Sequence, residues 1–329
     1  MSKTRVQAAA LALAAAMAAT VFTSACGAPH TAPHAAPHTT PHAASGSGTG
    51  RQLVAQAMPL PDARIRATWP QSRVEQGLAK GMRLPLQDYM LGYADVVDVE
   101  NARDVVKQEC MQRLSFRFAP EPSGLQPSVA YDAMNMKRRY GITDRAEAAA
   151  HGFTPPQAVT VDDDTAAEDL ELAREDAESA VSGWDEAMNQ TCVPEANAKV
   201  GVLYETDVAG DLASQSYDAT AKQTPVRNAV AGWSSCMVRD GHRVTSLDDA
   251  EGRFAAPKKP GMKPGRAEVS LATDDVDCKQ SSNLVGTWYQ AETAYQHRQI
   301  TSHKRELEAE KAHNTKLLER ARAVLAARK

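Results

Sequence analysis

The sequence predicts a mainly α-helical, disulfide-bonded fold, made of two related helical units and closed by a long C-terminal helix. Three observations predict it. Apolar residues recur at steps of three and four before Leu114, before Gly241 and through the Pro-free stretch after Ala267, which is the helical period. Beyond Cys26 there are four cysteines, Cys110, Cys192, Cys236 and Cys278, an even set that reads as two disulfides in an exported chain. Finally, the residues around Cys110 and Cys236 echo one another.

Composition narrows the function classes. The chain has 329 residues, 37 Lys and Arg against 41 Asp and Glu, and a formal net charge of −4. A nucleic-acid binder would carry a basic surplus, so that class is disfavoured. Aromatics make up only 5%, a lean supply for a core, which gives cross-links a structural purpose.

Taken in order, Met1–Arg5 carries two positive charges and Val6–Phe22 is almost uniformly Ala, Leu, Val and Met. Small residues follow at Thr23, Ser24 and Ala25. This is the layout of a secretory signal over residues 1–25, and the apolar run is Ala-rich with no basic stop-transfer cluster after it. Thr23-Ser24-Ala25-Cys26 resembles a bacterial lipobox and makes Cys26 the expected lipidation site; Thr23 stands where that motif usually has Leu, which leaves ordinary cleavage after Ala25 or Ala28 as the competing reading. Acyl chains there would bury about 0.8 kcal/mol per methylene and attach the protein to the outer face of the cell membrane. Residues 26–50 then comprise Cys26 and a tether built only from Gly, Ala, Pro, His, Thr and Ser, with Pro-His repeated at 29, 33, 37 and 41. Regular Pro favours an extended chain of about 3.1 Å per residue, a reach of about 70 Å. The four histidines are read as part of a solvated spacer, with weak capture of Zn²⁺ or Cu²⁺ as the competing reading.

Two units are expected in the remainder, 51–200 and 201–329. The first opens with a Pro-broken arm to Met82, followed by a helix whose Val99, Ala102, Val106, Cys110 and Leu114 share one face. Pro120–Pro127 reads as a loop. A short helix is expected from near Thr143, with Asp144 at its positive end and Pro155-Pro156 beyond it. Asp162–Glu186 holds eleven acids and one base, and lacks the alternating ligands and central Gly of a calcium loop. It reads as a solvated acidic helix with Leu170, Ala173, Ala177 and Ala180 as a weak stripe.

In the second unit, Pro225 suits a first helical position, Val226, Ala229, Val230, Trp233 and Met237 form the stripe, and Gly241 suits a stop. Lys258–Arg266 reads as a flexible basic loop. From Ala267 onward one long helix is expected, interrupted only at Gly286, with Leu271, Cys278, Val285, Trp288, Ala291 and Tyr295 buried. After Ile300 the pattern thins to Leu307, Leu317, Leu318, Val324 and Leu325 among charges. That tail reads as a lone solvated helix, with a short coiled-coil seam as the competing reading.

The echo suggests how the cysteines pair. Cys110-Met111-Gln112-Arg113 and Cys236-Met237-Val238-Arg239 each end a helical segment and are each followed by a later helix-associated cysteine. If they mark two similar units, the pairs are Cys110–Cys192 and Cys236–Cys278.

Leu84-Pro85-Leu86 with Tyr89, Glu109-Cys110-Met111, Tyr140-Gly141-Ile142 with Gly152-Phe153, Cys192 with Glu195-Ala196, Trp233-Ser234-Ser235-Cys236-Met237, Asp275 with Cys278, and Gln296 followed by Ile300 form a set spanning residues 84–300. In these features the chain resembles a broad family of actinobacterial secreted or lipid-anchored proteins to which no biochemical activity is assigned. The resemblance implies the disulfides and an exported location, and supplies no catalytic residues. Ser115 departs from it, since Gly is expected where Gly241 stands in the echo.

Motifs with known chemistry give no positive lead. The sequence has no nucleophile elbow, zinc-protease pair, phosphate loop or dinucleotide fingerprint. No catalytic residue, metal site or cofactor is therefore expected. The expected function is a non-catalytic binding or structural module at the cell envelope, meeting the membrane through the lipid on Cys26 and an envelope protein or wall component through the C-terminal helix. A transporter's solute-binding lipoprotein and an envelope-modifying hydrolase are the alternatives.

Overall fold

The computed structural model describes residues 57–125, 134–155, 179–254 and 262–328. The signal segment, Cys26, the His-rich tether, residues 162–178 of the acidic stretch and residues 258–261 of the basic loop lie outside the described residues.

Helix α1 (Ala63–Arg66) is a single turn capped by Asp62, whose carboxylate accepts from the Arg64 and Ile65 N–H groups at 2.8 and 3.0 Å. After a 3₁₀ turn at Pro85–Asp88 comes α2 (Tyr93–Arg113). Val99, Ala102, Val106 and Cys110 are buried as their spacing predicts, whereas Leu114 is 42% exposed because the helix has ended before it. Helix α3 (Arg145–His151) starts where expected, with Asp144 accepting from the Ala146 and Glu147 N–H groups at 2.8 and 3.1 Å.

Helix α4 opens at Trp184–Glu186, passes through a π-helical stretch at Ala187–Cys192 and finishes at Val193–Lys199. Pro194, which has no N–H to give to the preceding turn, lies just beyond the π segment, separated from it by Val193. Helix α5 (Val208–Ala221) carries no predicted stripe. α6 (Thr224–Arg239) is followed by the short α7 (Leu247–Gly252).

The expected single C-terminal helix is three: α8 (Arg266–Ser281), α9 (Leu284–Ser302) and α10 (Lys304–Ala327). The first break falls at Asn283, in the left-handed region at φ 50°, which Asn tolerates better than most residues. Gly286 sits inside α9 and breaks nothing. On α9 the buried face is Leu284, Val285, Trp288, Glu292 and Gln296, one position away from the expected Ala291 and Tyr295. Nor is α10 a lone solvated helix: Leu307, Leu317 and Ala321 are buried.

Three apolar clusters organise these helices. The largest joins Leu84, Leu86, Met136, Tyr140 and Ile142 to Trp233, Met237, Leu271, Leu284 and Trp288, so segments on both sides of residue 200 share one core. A second packs Val99, Ala102 and Val106 of α2 between Ala196 and Val200 of α4 and Leu317 and Ala321 of α10. The third surrounds Cys110 and Cys192. Residues Leu53–Lys329 form one unit. No strand occurs among the described residues.

Both halves of the echo end alike. Phe116 N–H donates to Met111 O at 2.9 Å and His242 N–H to Met237 O at 2.8 Å, with Ser115 (φ 64°) and Gly241 (φ 88°) at the left-handed position between. An L-residue there costs about 1–2 kcal/mol, part of which Gly returns through its unfolded-state freedom. Ser115→Gly is thus expected to stabilise the fold by about 0.5–1 kcal/mol, read as a higher urea midpoint at unchanged slope.

Candidate functional site

The described site residues of the sequence reading are structural. Cys110 is bonded to Cys192, linking α2 to α4, and Cys236 to Cys278, linking α6 to α8, each pair with Cα atoms 5.5 Å apart. This is the pairing suggested by the echo. Among the described residues one group has the proximity of metal ligands, Cys236, Asp240 and Cys278, and there the two sulfurs are joined to each other.

A cleft of about 350 Å³ lies elsewhere, between the Trp69–Gln76 arm and the segment from Asn135 to Glu147. The arm is pinned by Leu78 N–H, which donates to Thr143 O at 2.9 Å. Gly77 permits that approach: at φ 75°, a methyl added there would stand 2.6 Å from the same carbonyl. Trp69, Val74, Met136 and Ile142 are buried in the lining, and Pro70 and Pro155 are half-buried.

The charges of the cleft are unevenly engaged. Lys137 Nζ stands 2.8 Å from Glu147 Oε2, and Arg138 pairs with the other oxygen of that carboxylate while donating to Phe153 O at 3.2 Å. Two cations therefore share one acid. Asp144, also in the lining, has its carboxylate turned to the N–H groups of α3. Arg73 and Glu75 are exposed on the arm.

Behind the cleft the same segment is held by buried charge. Glu292 is fully buried and accepts from Arg139 Nε at 2.8 Å and Nη2 at 2.7 Å, and from the Tyr140 hydroxyl at 2.7 Å. Ser216 Oγ lies 2.8 Å from it, and Gln296 Nε2 donates to that hydroxyl at 2.9 Å. Burial, then the Glu292 charge, raises the Tyr140 hydroxyl pKa far above its ordinary value, so it remains a donor. On α8, Lys279 Nζ donates to Asp275 Oδ2 at 2.6 Å and to Ile142 O at 3.0 Å, while Trp233 Nε1 donates to Asp275 Oδ1 at 2.8 Å. Glu251 accepts from Ile142 N–H at 3.2 Å, and burial raises its carboxyl pKa. At Gly141, φ 73°, a methyl would meet Lys279 Nζ at 2.6 Å, which is why a glycine separates Tyr140 from Ile142.

Sequence reasoning singled out Tyr140-Gly141-Ile142, Trp233, Asp275 and Gln296 but missed Arg139, Glu292, Lys279 and Glu251, which bind them together. The only available signal was charge on otherwise apolar helical faces, as at Glu292 four residues after Trp288.

Comparison with protein-family models, curated proteins and solved structures finds no match to the chain. The fold and its cross-links define a disulfide-bonded, mainly helical protein. Two disulfides point to an oxidising, extracytoplasmic compartment. Among the described residues no helix is long and apolar enough to cross a membrane.

Proposed function

We propose that the protein is an extracytoplasmic lipoprotein, anchored through Cys26, whose helical domain serves as a non-catalytic binding module at the cell envelope. One observation carries the binding part of this reading: the cleft wall from Asn135 to Thr143 is fixed from behind by the Glu292 and Lys279 networks, so the concave surface is preformed. Its inner carboxylates are already occupied, Glu147 by two cations and Asp144 by a helix end, an arrangement that suits recognition better than acid–base work. Export is supported by the signal-like leader and the disulfides, and the anchor by the resemblance of Thr23–Cys26 to a lipobox.

The apolar seam of α10 is covered by α2, so an envelope partner at the C-terminal helix would meet its charged face. The likeness to actinobacterial envelope proteins supports the same setting.

Fractionation of producing cells tests the anchor. The native chain is expected in the membrane fraction and Cys26→Ser in the soluble exported fraction. Equal release of both would overturn the anchored reading.

A further inference from the structure

We propose that the Cys236–Cys278 bridge is a redox switch for the cleft: a dithiol opens it before Cys110–Cys192, and its opening loosens the wall from Asn135 to Thr143 while the domain stays folded. This rests on the preformed cleft of the binding-module reading above and names its regulation.

The two bridges differ in cover. Cys110 and Cys192 are 1% and 0% exposed and are packed among Met111, Met188, Phe116, Phe118 and Trp184. A thiolate reaches neither sulfur without displacing that apolar cover. Cys236 is 8% exposed, and two exposed polar side chains lie against its bridge. Asp240 Oδ2 is 3.6 Å from Cys236 Sγ and 3.4 Å from Cys278 Sγ, and Ser281 Oγ is 3.6 Å from Cys236 Sγ. This bridge therefore stands at the surface, with Cys236 as its outer sulfur.

The chemistry is thiol–disulfide exchange. One thiolate of the dithiol attacks Cys236 Sγ, the bond between the two sulfurs breaks, and Cys278 leaves as a thiolate that takes up a proton. The second thiol, deprotonated, attacks the mixed disulfide; a cyclic disulfide departs and Cys236 is protonated. Two electrons and two protons have passed from the dithiol to the bridge. Asp240 sets the pace, because negative charge develops on sulfurs beside its carboxylate. A like charge at about 4 Å in water slows such a step about fivefold. Asp240 is exposed, so it retards the exchange without blocking it.

Position gives the opening a consequence. One turn before the bridge on both helices, Trp233 Nε1 of α6 donates to Asp275 Oδ1 of α8 at 2.8 Å. The residue after Cys278 is Lys279, whose Nζ holds Ile142 O at 3.0 Å. Without the covalent tie, α8 shifts more freely on α6 and carries Lys279 with it. Ile142 then loses its fixed support, and so does the neighbouring Thr143 carbonyl that pins the arm through Leu78 N–H. Cys110–Cys192 ties α2 to α4, and its cluster shares no residue with the cleft lining. A domain that keeps this bridge stays folded, so the loosening is local.

The test uses the full chain with Cys26→Ser, oxidised, treated with dithiothreitol, quenched with iodoacetamide and mapped over time. Cys236 and Cys278 are expected to be alkylated first, Cys110 and Cys192 at least about tenfold more slowly. Asp240→Asn is expected to open the surface bridge about fivefold faster. Hydrogen exchange is then read at the Leu78 and Ile142 amides, with the Val106 amide of α2 as reference. In Cys236→Ala/Cys278→Ala the two wall amides are expected to accelerate at least about tenfold more than Val106, and in Cys110→Ala/Cys192→Ala no more than Val106. Earlier or simultaneous opening of Cys110–Cys192, an Asp240→Asn rate that is unchanged or slower, wall amides that follow Val106 in the first pair variant, or unfolding of that variant would each overturn the proposal. Neither readout uses the lipid or a ligand, so failure here with membrane retention of the native chain sinks the switch alone.

Discussion

Glu292→Gln is expected to cost about 3–5 kcal/mol of stability, the usual result of removing one partner from a buried ion pair. The carboxylate is fully buried and takes two bonds from the Arg139 guanidinium, whose side chain is 5% exposed. With an amide in its place, an NH₂ group faces donors from Arg139 and Tyr140, and the cation is left in a dry core without its counter-charge. Chemical denaturation of Glu292→Gln, Arg139→Met and the double variant checks this. Each single loss should be large and the double less than their sum, giving a coupling of several kcal/mol. A coupling below about 1 kcal/mol would show that the pair is not the unit described.

Loss of the cross-links should be comparably large. The chain-entropy relation assigns about 4.5 kcal/mol to Cys110–Cys192, with its separation of 82 residues, and about 4 kcal/mol to Cys236–Cys278, separated by 42; measured values usually fall somewhat lower. A domain stable by about 5–15 kcal/mol does not comfortably lose both. Each Cys→Ala pair is expected to lower stability by about 2–4.5 kcal/mol, and full reduction with a dithiol to abolish the cooperative thermal transition near physiological temperature. A reduced protein with an unchanged transition would contradict the structural role given to the bridges.

How far the fold was legible depended on whether a contact was local. The face of α2 follows from Val99, Ala102, Val106 and Cys110 at helical spacing, and the start of α3 from Asp144, because period and capping are short-range. The cysteine pairing was readable through the internal echo, a long-range fact that happened to be written locally. Helix α5 was not readable: its buried stripe is Ala209, Leu212, Ala213, Ser216 and Thr220, too small and too polar to stand out.

The buried face of α9 shows the limit more sharply. Hydrophobicity favours Ala291 and Tyr295, yet the core side holds Glu292 and Gln296, because their partners, Arg139 and Ser216, arrive from 153 and 80 residues away. No local pattern encodes those partners. Likewise α10 looks solvated until α2 supplies Val99, Ala102 and Val106 for Leu317 and Ala321, and until Glu310 finds the Val208 N–H at 2.7 Å at the start of α5. The cleft was invisible for the same reason. Its two walls are joined by a backbone bond from Leu78 to Thr143 and, apart from the first turn of α3 at Glu147, are irregular, with no period to read.

The most direct test of the account is a non-reducing peptide map of the protein taken from the membranes of cells that produce it. The account predicts an acylated N-terminal peptide beginning at Cys26, with Cys110 linked to Cys192 and Cys236 linked to Cys278. A chain still carrying residues 1–25 unacylated, with free thiols at the four remaining cysteines, would contradict it.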